Sequence, residues 1–345
     1  MKERIERLRQ HLEEPLLVTG PANVRYLTGF VSSNVSLLVD QEQVQLFTDF
    51  RYAEAARQVP DVEFVETRRE TIMHMAELLS GRFGFESAHL SYRSYELLRE
   101  GGLELVPRVG LVEALRAVKD DDELERIRRA ATITDAAYER LAQERFVGRT
   151  ERELAWRMSE LFHELGADEP AFETIVAAGP NGARPHADPG DRVIEAGTTV
   201  VIDAGAAVAG YCSDCTRTFA TGELPGELER AYQVCLEGQL QGLAAARAGT
   251  EAKATDAAAR EVIAAAGFGD KFGHGLGHGV GIDVHEAPRL ATTSTDTLAA
   301  GNVVTIEPGI YLEGLGGIRI EDLVVVTDGE PEVLSSFPKE LTVVS

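Results

Sequence analysis

Four strand-like runs in the C-terminal two-thirds of this chain each carry a carboxylate at a place where an apolar strand has little use for one. Val200-Val201-Ile202 leads into Asp203. Gly210 to Thr218 reads as the next strand after a small-residue turn, and it holds Asp214. Val303-Val304-Thr305-Ile306 ends on Glu307, and Gly317 to Val326 holds Glu321. A carboxylate in such a run is costly unless it is paired or binds a cation. Local pairing offers one explanation: Asp203 as a turn residue, Asp214 as a partner for Arg217, and Arg319 with Glu321 on one strand face. In the run Gly317 to Val326, alternation places Ile318, Ile320 and Asp322 on one side and Arg319, Glu321 and Leu323 on the other. Local pairing does not explain why four separate runs should each deliver an acid.

Between them lies Phe272 to Glu286, in which His274, His278 and His285 are interleaved with five glycines. Glycine carries no side-chain bulk, so backbone can approach a ligand closely. With His186, these histidines make up half of the eight in the chain. A lone histidine is usually a satisfied core or surface residue; three within twelve positions among glycines point to function.

Four clustered carboxylates repel one another in a partly buried site, and two divalent ions would cancel their formal charge. An oxygen-rich donor set with one imidazole suits Mn²⁺ and also accepts Co²⁺, Zn²⁺ or Fe²⁺. Two such ions can activate water and polarise a carbonyl, which is chemistry for amide hydrolysis.

The 345 residues carry a formal net charge of −23. That disfavours nucleic acid or an anionic membrane as partner. No apolar run approaches a membrane span, and the charged start Met1 to Glu6 is not a secretory signal. Cys212, Cys215 and Cys235 are too few for a disulfide framework. A cytoplasmic enzyme is expected. Cys212 and Cys215 form a Cys-x-x-Cys around Asp214, but residues three apart on a strand face opposite ways, so a redox or zinc reading is the weaker one.

The length suits two domains. Residues 1–115 read as an α/β unit. Ile5, Leu8 and Leu12 make a helical stripe, Leu16 to Val18 a strand followed by a Gly20-Pro21 turn, and Val35 to Val39 with Val44 to Phe47 a hairpin. Helices at 72–79 and about 94–99 and a strand at 103–106 follow. Residues 116–345 read as α+β. One helix begins in the acidic run after Lys119. Another is capped by Thr150 and Glu153, and strands with two helices between about 225 and 266 complete the unit.

These motifs resemble the metallopeptidase family that contains methionine aminopeptidase, aminopeptidase P and prolidase, and the resemblance covers essentially the whole chain. It implies a pita-bread catalytic fold preceded by a smaller creatinase-type N-terminal domain, the latter carried by Arg25 to Phe30 and Thr48 to Tyr52. All five metal-ligand positions are matched. By that resemblance Asp203 binds one metal ion, His278 and Glu307 the other, and Asp214 and Glu321 bridge both. Glu307 would also handle the water proton.

Phe172 to Asn181 leading to Pro185-His186, Ser213 to Thr218 and Gly317 to Asp322 look like the Xaa-Pro branch. The resemblance thus implies peptides with proline at the second position as substrates and a homodimer as assembly. His285 would stabilise the oxyanion and His186 would hold the scissile bond or the proline end. His274 and Arg319 would shape the pocket. The expected activity is that of an aminopeptidase P. The alternatives are a prolidase restricted to dipeptides, with Arg25 and Arg51 as candidate clamps for the substrate carboxylate, and a non-catalytic binding scaffold.

Overall fold

The computed structural model describes residues 1–345, which divide into two compact units, Met1–Arg116 and Ala117–Ser345. No helix is long and apolar enough to cross a membrane.

The first unit is built on a six-stranded sheet. Its spatial order is Glu63–Thr67, Val44–Asp49, Val35–Val39, Leu16–Val18, Gly81–Glu86 and Leu103–Arg108. The hairpin expected at 35–47 forms in antiparallel register, Val39 opposite Val44. Asp40 makes its turn, one carboxylate oxygen accepting the N–H groups of Glu42 and Gln43 at 2.7 Å each. Side-chain capping of this kind is why Asp favours turns. Leu17, Leu38, Phe47, Met75, Phe85 and Leu98 are buried together between the sheet and the helices Thr71–Leu78 and Tyr92–Glu100.

Two expectations fail here. The first helix, Lys2–Arg9, buries Ile5 and Leu8 but ends before Leu12. Beyond Arg9 the chain tightens into turns, the His11 and Leu12 N–H groups donating to the Leu8 and Arg9 carbonyls at 2.9 and 3.2 Å. Gly20-Pro21 is not a turn but the start of a helix, Pro21–Thr28. Proline at the first helical position sacrifices only an N–H that has no helical partner. Gly29 closes the helix with φ 76°, a conformation that favours glycine.

The second unit contains two helix-on-sheet layers. Asp121–Leu141 and Glu151–Glu164 cover the sheet formed, in order, by Thr342–Val343, Cys215–Ala220, Thr199–Ala204 and Ile175–Ala178. Gly226–Ala245 and Ala252–Ala265 cover the sheet Glu286–Leu290, Gly277–Gly279, Val303–Ile306, Asp322–Val325 and Glu332–Val333. Tyr138, Met158, Phe162, Ile202 and Phe219 are buried in the first layer, and Tyr232, Ile263, Leu276, Ile306 and Val324 in the second.

Both leading helices of the first layer start on reciprocal caps. Asp120 accepts from the Glu123 N–H at 2.9 Å while Glu123 accepts from the Asp120 N–H at 3.0 Å. Thr150 and Glu153 do the same at 3.2 and 2.7 Å. Loss of one such cap costs about 1 kcal/mol.

The run Gly317 to Val326 is not one strand. It divides into Gly316–Arg319 and Asp322–Val325, which belong to different sheets. The Glu321 N–H is drawn to the Thr216 carbonyl at 3.1 Å. The chain changes sheet there, yet Arg319 and Glu321 do share a side, both against the Thr216 hydroxyl, while Ile318 and Ile320 are buried in the core.

Candidate metal centre

The carboxylates are delivered largely by interruptions of strands. Asp203 lies within Thr199–Ala204, opposite Thr216 in the antiparallel register. Asp214 stands in the two-residue gap between Tyr211–Cys212 and Cys215–Ala220, immediately before the latter strand rather than on it. Glu307 directly follows Val303–Ile306, and Glu321 directly precedes Asp322–Val325. A strand end releases the side chain from strict alternation, so acids from both layers can face one place.

Asp214, His278 and Glu321 bring ligand atoms within 4.8 Å of one another. His278 Nε2 is 3.2 Å from Glu307 Oε1 and 3.6 Å from Asp214 Oδ2. Its Nδ1 lies 3.1 Å from the Gly279 carbonyl, which can only accept, so Nδ1 carries a proton. Nε2 is thereby aimed at carboxylates, the orientation a metal-binding imidazole needs.

Asp203 Oδ2 accepts from Arg319 Nη2 at 2.7 Å, and Glu321 Oε2 accepts from Thr216 Oγ1 at 2.7 Å. The second oxygen of each, Asp203 Oδ1 and Glu321 Oε1, is buried without any hydrogen-bond partner. An orphaned buried carboxylate oxygen is expensive unless a cation meets it. Four carboxylates sharing one buried guanidinium, with two oxygens orphaned and an imidazole aimed among them, fit divalent ions.

The electrostatics agree. Burial and then the charges of Glu321, Asp203 and Glu307 push the Asp214 carboxyl well up, and burial followed by Glu307 and Asp203 does the same to Glu321. At Glu307 burial is outweighed by the hydrogen bond and charge of His278, which bring the carboxyl down to about 2. His278 is raised, because its contacts with Glu307 overcome burial. Without an ion, the cluster can satisfy its charges only by holding protons.

The local pairings considered for these acids do not form. Arg217 takes Asp322 at 3.0 Å, both buried, and also donates to the Glu321 carbonyl. Arg319 takes Asp203, not Glu321, and further donates to Thr216 Oγ1 at 3.0 Å and to Tyr311 Oη and the Pro185 carbonyl at 3.1 Å each. Since Arg319 only donates, the Tyr311 hydroxyl gives its proton to His274 Nε2 at 2.9 Å, and His274 Nδ1–H donates to the Gly275 carbonyl at 2.8 Å. Both nitrogens of His274 are thus engaged inside the wall, and burial lowers its pKa.

His186 and His285 line the same cleft of about 680 Å³, together with Phe172, Ile175, Val284 and the five clustered groups. His186 is exposed on the turn that follows the short 3₁₀ helix Gly179–Ala183. The His285 ring lies 4.3 Å from that of His278, centre to centre. Burial and then the neighbouring His278 lower its pKa.

Two of the glycines around the histidines are also required by the strands. A Cβ at Gly277 would overlap the Thr305 carbonyl, and one at Gly279 the Ala287 carbonyl. These close approaches let the strand carrying His278 pack between Glu286–Leu290 and Val303–Ile306.

Four further residues escaped sequence reasoning. Thr216 joins Glu321 to Arg319, as above. The Thr305 hydroxyl accepts from the His278 N–H at 3.0 Å and donates to Glu307 Oε1 at 3.1 Å. Tyr311 links Arg319 to His274. Arg289, exposed on the strand after His285, lines the cleft, and its guanidinium makes no hydrogen bond or ion pair within the chain. Each threonine sits two positions from one of the acids in sequence, Thr216 from Asp214 and Thr305 from Glu307, a spacing that would have pointed to them.

Residues 125–328 match the metallopeptidase family M24, and residues 4–118 match the creatinase/prolidase N-terminal domain. The uncharacterized peptidase YqhT of Bacillus subtilis is 38% identical over 335 residues, 95% of either chain. Among solved structures, an Xaa-Pro dipeptidase from Bacillus anthracis superposes with a TM-score of 0.95 at 38% identity, covering 99% of both chains. An X-Pro aminopeptidase from Thermotoga maritima gives 0.89 at 34% identity, covering 99% of this chain and 100% of that one. A creatinase-type N-terminal α/β domain precedes a pita-bread catalytic domain, and the chain belongs to metallopeptidase family M24.

Proposed function

We propose that the chain is an Xaa-Pro aminopeptidase, cleaving the bond between an N-terminal residue and a following proline with two divalent ions, Mn²⁺ by preference. Asp203 would hold one ion, His278 and Glu307 the other, and Asp214 and Glu321 both. The observation that carries the metal site is the pair of orphaned buried oxygens on Asp203 and Glu321 beside an imidazole aimed at carboxylates, and the likeness to Xaa-Pro peptidases supports the substrate class. When bound, such a pair of ions lowers the pKa of water and polarises the scissile carbonyl.

The chain's own residues supply the rest. Glu307 would take the proton of the attacking water. His285 donates its N–H to the oxyanion as charge develops there. His186, at the rim, holds the scissile bond or the proline end. Arg319 fixes the orientation of Asp203 from outside, and Thr216 and Thr305 do so for Glu321 and Glu307. Proline forms a tertiary amide with no N–H, so its ring is recognised by shape against apolar wall residues such as Phe172 and Val284.

Purified protein with Mn²⁺, assayed on Xaa-Pro and Xaa-Pro-Yaa peptides, tests the reading. Release of the first residue from the tripeptide is expected; turnover of dipeptide alone contradicts it.

One observation favours a second reading, a dipeptidase. Arg289 brings an unpaired guanidinium to the cleft, where it can clamp the carboxylate that ends a dipeptide just after proline. Under this reading Arg289→Ala raises KM for the dipeptide, and tripeptides are not turned over.

A further inference from the structure

The segment Phe272 to Gly281 carries His274 and His278 on a backbone with five glycines, the residue with most conformational freedom to lose. Something outside the segment must hold it. The helix Ala252–Ala265 does so with two side chains one turn apart. Arg260 grips Asp256 through two parallel hydrogen bonds, Nε to Oδ2 at 2.8 Å and Nη2 to Oδ1 at 2.9 Å, and the Asp256 carboxylate is fully buried.

The remaining donors and acceptors of the pair go to the backbone of the glycine-rich segment. Arg260 Nη1 donates to the Phe272 carbonyl at 2.9 Å and Nη2 to the His274 carbonyl at 2.7 Å. Asp256 Oδ1 accepts the Leu276 N–H at 3.0 Å. The helix therefore holds three alternate residues, 272, 274 and 276, immediately before the strand Gly277–Gly279 that presents His278. The guanidinium also lies over the Phe272 ring, 4.1 Å from its centre, and that ring meets His274 edge-on at 5.0 Å.

We propose that Asp256 and Arg260 are positioning residues for the metal centre, setting the backbone from which His278 reaches its ion. Neither touches the cleft acids. The guanidinium fork spans two carbonyls and a carboxylate at once, which a lysine ammonium on a flexible stem does not reproduce. The pair restricts the segment before any ion arrives, so the entropy of ordering it is not charged to metal binding. The proposal rests on His278 being a ligand.

The test is direct titration of Mn²⁺ into ion-stripped protein by calorimetry, for the wild type, Arg260→Lys, Arg260→Met and His278→Ala, with thermal unfolding of each ion-stripped protein alongside. Partners of metal ligands are worth on the order of tenfold to a hundredfold in metal affinity. Arg260→Lys is expected to weaken binding by about tenfold and Arg260→Met by more, with the unfolding temperature of Arg260→Lys little changed. Amide exchange at Leu276 should quicken in both. Should Arg260→Met fail to fold, Arg260→Lys decides.

Wild-type metal affinity in a folded Arg260→Lys protein overturns the proposal, and so does a lowered unfolding temperature with affinity unchanged. Wild-type affinity in His278→Ala overturns the assignment of His278 itself. Loss in His278→Ala with none in the Arg260 variants refutes only the positioning role.

Discussion

Arg319 and Asp203 lie 116 residues apart in sequence and meet at 2.7 Å, so that one oxygen of Asp203 is held by the guanidinium while the other is buried with no protein partner. In the proposed site the arginine would orient the carboxylate and leave its free oxygen for an ion. The same guanidinium reaches Thr216, Tyr311 and the Pro185 carbonyl. Lysine cannot serve four acceptors in one plane. Arg319→Lys is therefore expected to lower kcat/KM by about tenfold to a hundredfold, measured on an Xaa-Pro substrate at saturating Mn²⁺.

In the proposed site Asp214 would bind both ions. In Asp214→Asn the amide offers a single neutral oxygen, and one shared negative charge is lost from the site. The expected outcome is a fall in bound metal and a loss of activity on the order of a thousandfold or more, since a metal pair supplies several kcal/mol of transition-state stabilisation. Elemental analysis after dialysis, with peptidase assays on the same sample, checks both.

The pH dependence has opposite signs with and without metal. In the ion-free protein the Asp214 and Glu321 carboxyls are raised by burial and by neighbouring acids. A group whose folded pKa exceeds its unfolded value contributes stability that is present below the unfolded pKa and is lost as pH rises through the folded pKa. EDTA-treated protein should therefore lose stability as pH climbs from the ordinary carboxylate range through the raised pKa values of these two groups. Metal must displace those protons, so binding releases protons and tightens with rising pH. Unfolding temperatures with EDTA and with Mn²⁺ should diverge as pH increases; parallel curves would contradict the assignment.

Gly277 has no room for a side chain, because a Cβ there would overlap the Thr305 carbonyl of the adjacent strand. Gly277→Ala forces apart the strands that carry His278 and Glu307. Overpacking of this kind costs about 1–3 kcal/mol, visible as a lowered unfolding midpoint. Metal affinity should fall with it, since the separation of two ligands changes.

The acids and histidines were legible because each interrupts a pattern: Asp203 and Glu307 close β-branched runs, and His278 stands among glycines. Their partners were not. Arg319 was read against Glu321, two residues away, because alternation along a strand is the only geometry a sequence displays. The two do share a side, both against the Thr216 hydroxyl, but the guanidinium reaches across to Asp203 on another strand. Arg217 likewise passes over nearby Asp214 for Asp322. The helix Pro21–Thr28 was hidden because Gly-Pro marks turns and helix starts alike. Arg289, the free cation of the cleft, carried no local signal beyond its nearness to His285.

The most direct test of the central claim is anomalous diffraction from crystals of the protein grown with Mn²⁺. Two anomalous peaks are expected, one against Asp203, the other against His278 and Glu307, with Asp214 and Glu321 touching both. A map with no peak among these five residues, or with a single ion that leaves either Asp203 or His278 without a metal contact, would contradict it.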